Sequence, residues 1–272
     1  EDILKQDQEI IIYYEGKDYE GKDGFSSESE INEKVKNLYL ETRNLMDGTL
    51  EDKNVRGALL SSKHGIIEKK GIYVLLSSLY EMTYKNSAED FEHIQKVVDN
   101  FIAKNITKDM SDYEKIKAVY DFVVKSYKYG YVNTGNKEQD ELDERNIWLG
   151  IQGQPVVCEA YAMLFAKMVT DLGYDNIIID GKAGNPPEGH AWNLIKINNQ
   201  WYHVDPTWGD NEESGINYKY LLTSDEVIEN KNSELNSRTW NRNKYPQAPE
   251  IYDTDQQADK AVQQATEAVE KA

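Results

Sequence analysis

GHAWNLIKINNQWYHVDPTW, residues 189–208, reads as two short strands joined at Asn198-Asn199. Asparagine tolerates positive φ, so this pair suits a two-residue hairpin turn. With that turn, Lys196 faces Trp201, Leu194 faces His203 and Trp192 faces Asp205. His190 and Asp205 then share one face of neighbouring strands, diagonally offset by about 7–8 Å at the backbone, a gap that an imidazole and a carboxylate can close. A three-residue loop would send them to opposite faces, so the register is decisive. His203 shares the face and competes with His190. It sits mid-strand among bulky neighbours, whereas His190 follows the Gly-rich GKAGNPPEG at a strand start, where cleft residues collect. His190 is therefore preferred.

The chain's single cysteine lies in GQPVVCEAYAMLFAKMVTDLGYDNIIID, residues 153–180. The pattern predicts a helix from about Cys158 to Leu172, ended by Gly173 and followed by a strand from Asn176 to Asp180. Cys158 falls in the first turn, where unpaired N–H groups and the positive end of the dipole favour a thiolate. Tyr161, Met163, Leu164, Phe165, Met168 and Val169 make the helix apolar nearly all round, which predicts a buried central helix. A lone cysteine is more often a small core residue. The hairpin shifts that reading, because a catalytic thiolate needs a base and the base needs an acceptor to fix its tautomer. Cys158, His190, His203 and Asp205 fit none of the familiar zinc-ligand spacings. No metal and no cofactor is expected.

The 272 residues carry a formal net charge of −18, with no basic patch of the kind nucleic acid or an anionic membrane surface requires. No apolar run approaches the ~20 residues that span a bilayer. One cysteine excludes an internal disulfide. Residues 1–85 read as a smaller α/β module without residues that suggest chemistry: a strand at QEIIIYY (8–14), a helix at EINEKVKNLYLETRNLM (30–46), and a strand or strand pair at GIYVLLSSLYEMTY (71–84). Two amphipathic helices follow. One aligns Phe91, Ile94, Val98 and Phe101; the other opens on Ser111 with Glu114 in the capping-box position. His93 beside the first helix reads as an ordinary hydrogen-bonded residue. NTGNKEQDELDERN (133–146) reads as a solvated loop. Residues 251–272 read as a helical tail or linker.

Three of these pieces, VVCEAYA, GHAWNLIKI and WYHVDPTWGD, resemble the transglutaminase-like superfamily, in its order of cysteine helix, histidine strand and aspartate strand. SDYEKIKAVYDFVVKSYKYGY resembles the helix before the cysteine in bacterial members. The likeness covers roughly residues 85–225. It implies an α+β fold with a papain-like core, in which a buried Cys-bearing helix packs on an antiparallel sheet. Residues 86–250 are then the expected catalytic domain. Carried over by position, Cys158 is the implied nucleophile, His190 the general base and acid, and Asp205 the orienting carboxylate. The Cys158 N–H is one implied oxyanion donor; Gln152, Gln154 and the tyrosines Tyr127, Tyr129 and Tyr131 compete for the second. Trp192 and Trp208 are the implied cleft wall. Val156 departs from the Gly that many bacterial members carry two residues before the cysteine.

The resemblance implies acyl transfer on peptide or protein amides through a thioester. Hydrolysis, as in a cysteine peptidase, is preferred because it needs no second substrate site. Cross-linking, with a lysine or small amine as second substrate, is the alternative. A non-catalytic surface module that retains the fold is the second alternative. A start at Glu1 rather than Met fits a trimmed chain, and likeness to bacterial surface proteins gives an extracellular or cell-surface location as the expectation.

Overall fold

A computed structural model describes residues 9–13, 27, 29–31, 33, 58–69, 72–210, 215–229 and 237–254. Two units are distinguished, Glu1–Ile94 and Gln95–Ala272. In the first, β1 (Glu9–Tyr13), β2 (Ala58–Lys69) and β3 (Ile72–Tyr84) form an antiparallel sheet of order β1-β3-β2. The stretch expected as a strand or strand pair is one long strand. Its partner β2 was not anticipated, because SSKHG interrupts its apolar runs and the register shifts between Gly65 and Ile66. Nearly all of the helix expected at 30–46, and the tail from residue 255 on, lie outside the described residues.

Next come α1 (Ala88–Asn105) and α2 (Asp112–Ser126). α2 starts where the capping box requires: Ser111 accepts from Glu114 N–H while the Glu114 carboxylate accepts from Ser111 N–H. Its buried side, Ile116, Val119, Tyr120 and Val123, faces the core. A two-residue strand β4 (Lys128–Tyr129) pairs in parallel with β5 (Pro155–Val156). Between them the expected polar loop is in part a helix, α3 (Lys137–Asp143), followed by α4 (Ile147–Ile151). Local capping explains the difference. Asn136 accepts from Gln139 N–H, the buried Asp140 carboxylate accepts from Thr134, and Glu144 accepts from Val132 N–H. Side chains that read as solvated satisfy backbone donors instead.

α5 (Cys158–Asp171) is buried from Ala160 to Ala166 and again at Met168 and Val169. Leu172 caps it and Gly173, at φ +89°, turns the chain away. It packs on an antiparallel sheet built from β6 (Asn176–Ala183), β7 (Glu188–Ile197), β8 (Gln200–Val204) and β9 (Arg238–Trp240), in the order β8-β7-β6-β9. The buried Asn193 on β7 donates its amide to Ala162 O of α5 at 3.0 Å, tying helix to sheet. This is the α+β arrangement of a buried cysteine-bearing helix on an antiparallel sheet.

The hairpin has the expected register. Lys196 pairs with Trp201 and Leu194 with His203, and Asn198 and Asn199 take φ of 50° and 64°. The expected Trp192–Asp205 pair is not made. β8 ends at Val204, and Asp205 instead caps a short helix α6 (Pro206–Gly209), its own N–H donating to Tyr220 O at 2.9 Å. Proline at the first helical position explains the switch from ladder to helix. A 3₁₀ turn at Tyr218–Tyr220 and α7 (Asp225–Glu229) complete the described elements.

β6 carries a glycine where the sheet leaves no room. A Cβ on Gly181 would lie 2.5 Å from both the Thr239 carbonyl oxygen of β9 and the Trp192 ring. Gly181→Ala is expected to destabilise the domain by about 1–3 kcal/mol in urea unfolding; a change below about 0.5 kcal/mol would show that Trp192 and β9 can yield.

Candidate active site

Cys158 is the first residue of α5 and is half-buried. The residue before it, Val157, gives the helix no side-chain cap. In that first turn the Ala160 N–H donates back to Val157 O at 3.0 Å. His190 is buried near the start of β7, and its Nε2 meets Asp205 Oδ2 at 2.8 Å. Cys158 and His190 line the same cavity of about 280 Å³. Burial alone would push the His190 pKa down. The Asp205 carboxylate and the Cys158 sulfur more than reverse this and hold it up at about 9. Since Nε2 is taken by Asp205, Nδ1 is the ring nitrogen left to exchange a proton with the thiol.

Asp205 has no solvent exposure. Burial disfavours its charge, but the Arg238 guanidinium and then His190 override that and hold its carboxyl well below the usual range. Oδ1 accepts from Trp208 N–H at 3.2 Å. On Oδ2, besides His190, converge Arg238 Nε at 2.8 Å and Nη2 at 2.5 Å.

His203 is occupied elsewhere. Trp192 Nε1–H donates to its Nδ1 at 2.9 Å, so its proton sits on Nε2, facing Asp225 Oδ1 at 2.8 Å. Burial lowers its pKa despite Asp225, and it stays neutral. Trp192 itself is fully buried and stacks on His190, with ring centroids 5.7 Å apart and planes 19° apart. It supports the imidazole from the core and does not line either cavity at the site. Trp208 does form a wall. It meets His190 edge-on at 6.3 Å and lines a second cavity of about 560 Å³ with Tyr220, Asn217 and Asp210.

Tyr129 and His190 line both cavities, so the two spaces adjoin at that pair. Tyr131 lines the first. Burial, then Tyr131 and the Cys158 sulfur, push the Tyr129 phenol's pKa up, which leaves it a hydrogen-bond donor. Tyr127 is buried with its hydroxyl donating to Ile147 O at 3.1 Å. Gln152 closes α4 and Gln154 follows it; both are exposed and neither lines the cavities. Glu144 and Arg145, from the stretch read as a loop, line the first cavity with Glu159, and Arg145 Nε lies 3.2 Å from Glu159. Arg238 carried no local signal, being 33 residues from Asp205 and brought to it only by the β6–β9 pairing. Among the described residues, no group of three or more His, Cys, Asp or Glu side chains could hold a metal ion. No described helix is long and apolar enough to cross a membrane.

Residues 100–206 match the family model of the transglutaminase-like superfamily. The chain carries a transglutaminase-like domain. Kyphoscoliosis peptidase from Mus musculus is 22% identical over 52% of this chain and 25% of its own length. The Homo sapiens protein of that name is 22% identical over 51% and 24%. The chain thus spans about a quarter of the length of these curated relatives. A TGase of known structure aligns with a TM-score of 0.37 at 15% identity, covering 64% of this chain and 50% of that one.

The two histidines of this transglutaminase-like domain have opposite pH linkage. His190, raised, adds stability that is complete below about 6.5 and is lost as pH rises through about 9. His203, lowered, costs stability as pH falls below 6.5. In ¹⁵N NMR, His190 is expected to titrate near 9 and His203 below 6.5. Asp205→Asn should lower the His190 midpoint by about one unit or more; a midpoint that does not move would mean the carboxylate is not what holds the imidazole's charge.

Proposed function

We propose that the transglutaminase-like domain catalyses cysteine-dependent acyl transfer on peptide or protein amides, with hydrolysis as the main outcome. The observation that carries this reading is His190, whose Nε2 is bonded to a buried carboxylate while Cys158 lines the same cavity beside it. A core cysteine has no use for that arrangement, and a binding surface gains nothing from it.

In this reading Cys158 passes its proton to His190 Nδ1 as the sulfur becomes the nucleophile. Sulfur attacks the amide carbonyl carbon, forming a C–S bond and placing negative charge on the oxygen. The Cys158 N–H and the Tyr129 hydroxyl are the donors best situated for that oxyanion. Collapse breaks the C–N bond as His190 Nδ1 gives its proton to the departing amine, leaving a thioester. Water then attacks with its proton passing to His190, the C–S bond breaks, and the acid leaves. Trp192 and Trp208 hold the ring between a stacked face and an edge.

Cross-linking is the second reading. Glu144, Glu159 and Asp180 around the first cavity outnumber Arg145, a setting that suits a cationic amine as acceptor.

The deciding experiment is mass spectrometry of a peptide pool incubated with the protein and a primary amine. Cleavage or deamidation is the expected result, and amine incorporation would favour the second reading. Cys158→Ala should abolish turnover, and Asp205→Ala should slow it on the order of 10³–10⁴-fold. A loss below tenfold would assign the third role to another residue. Tyr129→Phe should cost about 10²–10³-fold in kcat; an unchanged kcat removes it from the oxyanion site. Native Cys158 should react with iodoacetamide below pH 7 and slow greatly in His190→Ala. Labelling seen only after denaturation would return the cysteine to a core role.

A further inference from the structure

A fixed cation is buried beside this site, and the acyl-transfer steps do not by themselves require it. Arg238 has no solvent exposure and sits on β9, paired with Ala183 of β6. Its Nε and Nη2 both reach the oxygen of Asp205 that His190 uses. Its guanidinium also lies 4.7 Å from the ring centroid of Trp208 and 4.6 Å from that of Tyr220. A planar fork held by two hydrogen bonds and two aromatic faces has little freedom to move.

We propose that Arg238 is a positioning residue of the acyl-transfer site, keeping Asp205 ionised in both charge states of His190 so that the imidazole can release its Nδ1 proton without leaving a buried anion with no counter-charge. The proposal rests on the acyl-transfer reading. His190 must alternate between imidazolium and imidazole. While it is charged, it pairs Asp205 by itself. Once its Nδ1 proton goes to the leaving amine, a carboxylate without solvent would keep the His190 Nε2–H and Trp208 N–H as donors but no positive charge beside it, and that state is costly. Arginine does not lose its proton at working pH, so its charge persists through the cycle. Two cations on one oxygen also oppose each other, which limits how tightly the imidazole retains its proton.

The other groups facing this junction do not replace Arg238. Tyr120 of α2 lies with its hydroxyl 3.4 Å from the Asp205 carbonyl oxygen, and Tyr220 comes from the 3₁₀ turn. Burial raises both phenols, so both are neutral. Cys158 of α5 faces the His190 side as thiol or thiolate and supplies no positive charge.

The test is a ¹⁵N NMR titration of the His190 ring in the wild type, Arg238→Met and Arg238→Lys, beside the rate at which iodoacetamide alkylates Cys158. Loss of the charge in Arg238→Met is expected to raise the His190 midpoint by about one pH unit or more. Arg238→Lys keeps the charge and should stay within about half a unit of the wild type. A midpoint in Arg238→Met that stays put or moves down overturns the proposal. Should that variant not fold, Arg238→Gln, which keeps donors but no charge, carries the same expectation and the same refutation. The two readings fail separately. A wild-type Cys158 that alkylates only after denaturation removes acyl transfer, whereas an unmoved midpoint with a reactive native thiol removes only the role of Arg238.

Discussion

The Asp205 carboxylate has no contact with water, and three side-chain donor atoms meet on one of its oxygens. That junction joins parts of the chain that nothing local would bring together: the start of α6 through Trp208 N–H, the start of β7 through His190, and the edge strand β9 through Arg238. A buried ion pair adds little net stability compared with apolar packing of the same volume. Removing one partner is another matter, costing about 3–5 kcal/mol because a charge is then buried alone. The pairing is therefore better understood as fixing one geometry than as strengthening the fold. The geometry it fixes is the orientation of the imidazole.

Two histidines on one face of the same hairpin have opposite roles because their ring nitrogens meet different atoms. In His203 an indole N–H occupies Nδ1, and protonating that nitrogen would set two donors against each other. In His190, Nε2 faces a carboxylate and the sulfur of Cys158 adds to the pull on the ring's proton. Trp192 links them, bonded to one ring and stacked on the other. Its side chain packs with Ile177, Ile179, Leu194 and Ile228, so the support beneath the candidate base is continuous with the hydrophobic core.

The cysteine's setting depends on an ordinary helix in an unusual position. α5 is buried along most of its length and tied to β7 through Asn193, so its N-terminal tip cannot drift relative to His190 on the same strand. Pro155 lies in the short parallel pair β4–β5 just upstream, and Val157, Cys158 and Glu159 at the helix start line the first cavity. Side chains from α3 to α4, which satisfy their own backbone, bring Glu144 and Arg145 to the same opening.

Much of this was legible in the linear chain because the signals are short-range. Asn198-Asn199 sets the hairpin register, period-two alternation puts His190 and Trp192 on one face, and Ser111 with Glu114 starts α2. The apolar run after Cys158 requires a buried helix. Each depends on backbone preferences or solvent exclusion acting over a few residues. Only the tertiary structure decided what the polar groups meet. Asp205 left the ladder because Pro206 begins a helix, acidic residues in 133–146 turned inward to cap their own turns, and Arg238 reached Asp205 through a strand pairing. Those outcomes follow from desolvation, since a buried charge must find a partner, and which partner is near depends on how distant segments pack rather than on neighbours in sequence.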